Sequence, residues 1–163
     1  MAIPVYLWLK DDGGADIKGS VDVAEREGSI EVVALGHQVS LPTDDITGKV
    51  TGTREHFAFN FDKQIDSSTP YLYKALTTGQ TLKSAEFRFY RIDNSGREVE
   101  YFRILLESVK VVTLMPLMFD VKTAKEERSN HIEFIDLRYE KITWTHKDGN
   151  IIHSDSWNER RSA

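Results

Sequence analysis

The 163-residue chain has no cysteine. Disulfides, thiolate metal sites and a cysteine nucleophile are therefore excluded, and the redox compartment is left open. Prolines number only four, and no internal repeat, low-complexity tract or linker divides the sequence. Long apolar runs are missing as well. The opening MAIPVYLWLKDDGG has no basic lead, and its short apolar run is interrupted by Lys10 and Asp11, which fits neither a secretory signal nor a membrane span. There is no basic stripe: 21 Lys and Arg stand against 26 Asp and Glu, for a formal net charge of -5. That balance argues against binding a nucleic-acid backbone, which needs concentrated positive charge to release counterions.

What remains is a globular composition, 40% hydrophobic and 29% charged, of a length that buries one core and not two. Residues 1–163 are read as a single domain. The dominant hydrophobic period is two. Ile3, Val5, Leu7 and Leu9 alternate with Tyr6, Trp8 and Lys10; Phe57, Phe59 and Phe61 share a face expected to enter the core; Ala85, Phe87 and Phe89 repeat the pattern. Asn94-Ser95-Gly96 supplies a turn before a second long run, so residues 82–114 read as a hairpin, with Pro116 expected to interrupt the sheet. Residues 29–41 carry apolar side chains on both faces and read as one strand covered on each side. Between Tyr139 and Ile142 the inward set slips phase, which predicts a bulge or corner near Glu140 and Lys141. KTAKEERSN, 122–130, reads as a loop or short helix.

One stretch has helical character. In DSSTPYLYKALTTG, Thr69 can cap, Pro70 suits the first turn, Leu72, Ala75 and Leu76 share a face, and Gly79 can close the helix in the left-handed region. The fold class is mainly β: a compact β-barrel or sandwich of two sheets with one short α-helix at about residues 69–78 and a long extended loop at about residues 42–53.

The sites that could carry chemistry are weak. HSDSW, 153–157, gathers histidine, aspartate and two serines, but Asp148-Gly149 makes this the return strand of a hairpin. His153 and Asp155 then share one face while Ser154 and Ser156 project from the other, so a self-contained triad is excluded by geometry. His146 and His153 are diagonal neighbours with Asp155 as the only obvious third ligand, and no HxH or HExxH spacing exists. No Gly-x-Ser-x-Gly elbow or phosphate loop is present, and no cofactor is expected. The connection PTDDITGKVTGT, 42–53, exceeds an ordinary hairpin loop and exposes Ile46 and Val50, which leaves two readings open: a flexible tip, or an arm that docks on another subunit.

Several fragments, in order, resemble the haemolysin co-regulated protein (Hcp) family of bacterial type VI secretion. They are Ile17-Lys18-Gly19-Ser20, Arg54-x-His56, Lys63-x-x-Asp66-x-Ser68-x-Pro70-x-Leu72, ALTTG at 75–79, LESVKV at 106–111 and LRYEKITWTHKDG at 137–149. The resemblance implies a non-enzymatic homohexameric ring that stacks into the inner tube of the secretion machine. It also implies effector proteins carried in the lumen, association with spike and sheath proteins, and a cytoplasmic pool exported without a signal peptide or membrane insertion. On this basis Asp44, Asp45, Ile46, Thr47, Gly48, Lys49 and Val50 are the candidate stacking loop, and Leu35, Gly36 and His37 the candidate lumen-facing residues. The chain departs from many relatives at Ala58 and in the region 112–130, and it ends at Ala163 without an appended toxin domain. The readings that compete with the ring are a monomeric ligand-binding β-sandwich and a hydrolase.

Overall fold

The computed structural model describes residues 3–123 and 130–157. Twelve strands and one helix follow in the order β1 (Val5–Lys10), β2 (Asp16–Ile17), β3 (Ile30–Val32), β4 (Ala34–Gly36), β5 (Val39–Ser40), β6 (Glu55–His56), β7 (Phe59–Gln64), α1 (Thr69–Thr78), β8 (Leu82–Ile92), β9 (Glu98–Leu117), β10 (Ile132–Arg138), β11 (Lys141–His146) and β12 (Ile151–Ser156). Ten strands form one sheet, and β5 with β6 form a separate ribbon. The large sheet turns back on itself through β9, a strand of 20 residues. Its first part lies between β8 and β11, and its second part pairs with β10. The two halves then face each other across one core, where the Phe87 ring of β8 lies 4.4 Å from Phe59 and 5.4 Å from Phe61 of β7. The sheet does not close: its path ends at β2 on one side and β4 on the other. The expected sheet-on-sheet arrangement is present and the closed-barrel form of it is not.

Several local expectations are corrected. Phe57 is 41% exposed, and His56 is buried in its place. The chain breaks between β6 and β7, so the inward phase starts at Phe59 and runs through Phe61 to Lys63. The stretch 29–41 is three short strands, because the chain crosses from β1 as partner of β3 to β7 as partner of β4. Pro116 lies within β9, opposite Glu133. β8 ends opposite Val109, so the proline sits where β9 has a neighbour on one side only and no donor is needed. The helix cap is Ser68 instead of Thr69, while Gly79 closes the helix at φ 68° as expected. Leu72 and Ala75 are buried beneath it. The phase slip after Tyr139 is real: Ile135, Leu137 and Tyr139 point inward, then Ile142. Most of KTAKEERSN lies outside the described residues.

Lys63 and Glu133 are cross-strand partners on the inward face and have no exposed side-chain surface. The Lys63 ammonium ion-pairs with Glu133 and donates to Asp66 Oδ1 at 2.9 Å and to Thr69 Oγ1 at 3.2 Å. The Thr69 hydroxyl donates to Glu133 at 2.8 Å. A charge with no exposed surface persists only when it is paired and hydrogen-bonded. Thr69 is thereby drawn away from capping and into a clamp that fastens α1 to β7 and β10. Lys63→Ala should lower unfolding free energy by about 3–5 kcal/mol, since it strands the Glu133 carboxylate, while Lys63→Met with Glu133→Leu should recover most of the loss. Urea unfolding of the three proteins checks this, and a single-variant loss below about 1 kcal/mol would contradict the role of the pair.

Candidate functional site

The 42–53 segment is an ordered arm. Thr43 bridges Val50, and the legs are joined by Asp44 N–H to Lys49 O at 2.8 Å and Thr51 N–H to Pro42 O at 2.9 Å. The Asp44 carboxylate accepts from the Thr47 N–H at 2.7 Å, the Thr47 hydroxyl at 3.0 Å and the Ile46 N–H at 2.9 Å. These bonds, those from Thr47 first, hold its pKa below the usual carboxylate value. Gly48 at φ 69° makes the tip turn that a residue with a side chain would resist. These five hydrogen bonds organise an arm whose tip side chain, Ile46, is 95% exposed, with Val50 at 59%. Asp45, Thr47 and Lys49 surround the tip.

At the root of the arm a row of polar side chains crosses from one leg to the other. His37, before β5, places Nε2 at 2.8 Å from the Tyr139 hydroxyl, and His56, in β6, places Nδ1 at 2.6 Å from the same hydroxyl. His56 Nε2 donates to Asp155 of β12 at 2.8 Å. Arg54 donates to the same carboxylate through Nε and Nη2, at 2.8 and 3.0 Å, and to the Ser156 carbonyl at 2.8 Å. The Trp157 ring stacks on His56 at 5.7 Å. Both legs of the arm are therefore fixed to the β10–β11 corner and to the C-terminal strand. The Tyr139 hydroxyl is thus shared between the two imidazoles.

This is where Asp155 of HSDSW is used: on Arg54 and His56, and not on His153. His153 stacks on Trp144 at 6.0 Å. Tyr139, His56 and Asp155 have the hydroxyl–imidazole–carboxylate order of a hydrolytic triad, yet the hydroxyl is a buried phenol whose pKa burial raises further. Such a group holds its proton and anchors the arm instead of attacking a substrate. In the sequence His37 stands out only as a candidate lumen-facing residue, and His56 only within Arg54-x-His56. The spacing Arg54-x-His56 was the available signal, because alternate residues on an extended chain share a face.

The outward face beside the arm comprises Gly36 of β4, Asn60 and Asp62 of β7, and Phe134 and Asp136 of β10. Gly36 closely abuts Asn60: a Cβ there would lie 2.8 Å from the amide oxygen. Asp62 has a raised pKa, first from burial and then from the Asp136 charge. Gly36 is thus on the open face, Leu35 packs against the core, and His37 turns to Tyr139. Among the described residues no group of three or more His, Asp or Glu side chains forms a metal-binding set, and no helix is long and apolar enough to cross a membrane.

Arg54 and His56 hold the Asp155 pKa at about 2, against an ordinary 3.8. A lowered carboxylate pKa stabilises the fold above the ordinary value, and that stabilisation disappears as pH falls towards the folded value. The urea midpoint should therefore fall between about pH 4 and pH 2, and Asp155→Asn should be about 2 kcal/mol less stable than the native chain at pH 7 with a flatter acid limb. Equal acid limbs for the two proteins would exclude Asp155 as the anchor.

Comparison with known proteins agrees with this architecture. Residues 6–146 match the family model described as "Type VI secretion system effector, Hcp". The "Major exported protein" of Pseudomonas aeruginosa is 30% identical over 166 residues, covering 96% of each chain. Among solved structures, a substituted Hcp1 protein from the E. coli EAEC 042 pathovar is 67% identical, covers 96% of this chain and 99% of its own, and superposes with a TM-score of 0.87. Secreted protein Hcp3 from Pseudomonas aeruginosa is 25% identical, with coverage of 97% and 100% and a TM-score of 0.78. The match across most of the chain, in sequence and in fold, places this protein in the Hcp family of type VI secretion proteins.

Proposed function

We propose that the chain is a non-catalytic structural protein of the type VI machine. Six copies close a ring, rings stack into an exported inner tube, and effector proteins travel in its lumen. The observation that carries this reading is the arm: hydrogen-bonded internally and anchored at its root by Arg54, His56 and Tyr139, it still presents Ile46 to solvent. Rigidity spent on exposing an apolar tip suits a contact with another copy. Ring closure needs two different patches on each subunit, and an open stack needs a third. The arm supplies the stacking patch. Spike and sheath proteins are the further partners, and the protein occupies the cytoplasm before export.

The open face of β4, β7 and β10 is assigned to the lumen. It is largely polar and has the small Gly36 on its edge strand, which suits transient cargo. Leu35 and His37 support that wall from behind. No cofactor enters this role.

Deleting Thr47 to Thr51 should leave a cooperative fold and a ring of unchanged mass while reducing sedimentable tubes at least tenfold; undiminished tube formation would remove the arm from stacking. Gly36→Phe should displace the Asn60 amide and fill the wall. Rings should still form, but effector co-purification should fall severalfold, and unchanged cargo capture would move the lumen elsewhere.

A further inference from the structure

The arm leaves one end of the β4–β7 pair, the end marked by Gly36 opposite Asn60. The other end, beyond Ala34 opposite Asp62, opens on a cavity of about 290 Å³. Tyr6, Val21, Asp22, Val23, Glu31 and Ile65 line it. Its loop is ordered by Val21 N–H to Ser29 O at 3.3 Å, Gly28 N–H to Val21 O at 2.9 Å and Arg26 N–H to Val23 O at 2.9 Å. Gly19 permits this packing, since a Cβ there would meet the Ser29 carbonyl at 2.5 Å. The cavity is preformed, with an apolar floor and an acidic rim. Val23 and Ile65 are 40% and 46% exposed, and Asp22 and Glu31 make no ion pair among the described residues.

The arm tip has the complementary character. Ile46 and Val50 are apolar and exposed, and Lys49 has no ion-pair partner among the described residues. A strand of six residues, β7, separates the two ends, a span of about 20 Å at ~3.3 Å per residue. The arm leaves the end opposite the cavity and none of its residues lines it, so the complement considered is the cavity of another copy.

We propose that the arm of one copy seats Ile46 between Val23 and Ile65 of the next copy, with Lys49 on the Asp22 and Glu31 rim. The contact joins two different surfaces at opposite ends of the molecule. Because the two surfaces lie at opposite ends of β7, successive copies are displaced along that direction, and a head-to-tail contact of this kind can repeat as an open stack. This assignment rests on the stacking role given to the arm under Proposed function and adds its receiving site.

A chain without cysteine gives a clean cross-linking background. The variant carrying Ile46→Cys and Val23→Cys is concentrated to the point where tubes appear in negative stain, oxidised with diamide, and run on a denaturing gel without reductant. The expected result is a ladder of covalent multimers that reductant removes, with no ladder beyond dimers from either single variant. Lys49→Glu should cut sedimentable tube mass severalfold, and adding Asp22→Lys should restore it. Tubes without a ladder, and no restoration by the charge exchange, would overturn the receiving site and leave arm-mediated stacking standing. Absence of both tubes and ladder, with the native chain also failing to form tubes, would overturn the two together.

Discussion

The Lys63 ammonium has no exposed surface, and much of the fold's order follows from compensating it. A lone buried cation costs several kcal/mol, so acceptors must converge on it from different parts of the chain. Glu133 comes from the adjacent strand, Asp66 from the turn before α1, and Thr69 is the first helical residue. Each of these is useful because it fixes something else. Glu133 fixes the register of β7 against β10, Asp66 holds the turn through the Ser68 N–H at 2.9 Å, and Thr69 docks the helix. The Lys63-x-x-Asp66-x-Ser68-x-Pro70 spacing is the linear record of that clamp.

A second polar knot does for the arm what Lys63 does for the core. Residues from both legs meet Tyr139, whose position is set by the corner between β10 and β11, and Asp155 fastens the whole to β12. In the proposed stack, fixing the root makes an exposed isoleucine at the tip tolerable as a contact, because an arm already in place loses less conformational freedom on docking. The pH response follows from the same residues. Burial, followed by the neighbouring His56 charge, lowers the His37 pKa, while the Phe57 backbone works in the opposite direction. A lowered histidine pKa contributes stability above the unfolded value that is lost as pH falls, the same direction as Asp155. Acid therefore loosens the root of the arm from both sides.

The parts of this structure legible in the sequence are those governed by local pattern. Alternation identified Phe59 and Phe61, the Ser-Gly turn identified the β8–β9 hairpin, and the phase change after Tyr139 identified the corner. Phe57 was misplaced because the chain breaks after His56, and alternation has no way to register a break. Pro116 was misjudged because its cost depends on whether the strand has a second neighbour. The anchor was invisible for a related reason: His37, His56, Tyr139 and Asp155 span more than a hundred positions and converge only when β5, β6 and β12 are folded together. The arm was legible as a long connection with wasted apolar residues. Its rigidity was not, since it rests on the Asp44 carboxylate choosing backbone donors over water.

The proposed ring assembles from this subunit alone, and the mass of the species in solution decides it. Light scattering after gel filtration, with negative-stain images of the same peak, should give six chains of 18.7 kDa, about 112 kDa, around an open centre. A stable species of 18.7 kDa at every micromolar concentration would contradict the ring and bring the monomeric ligand-binding sandwich forward in its place.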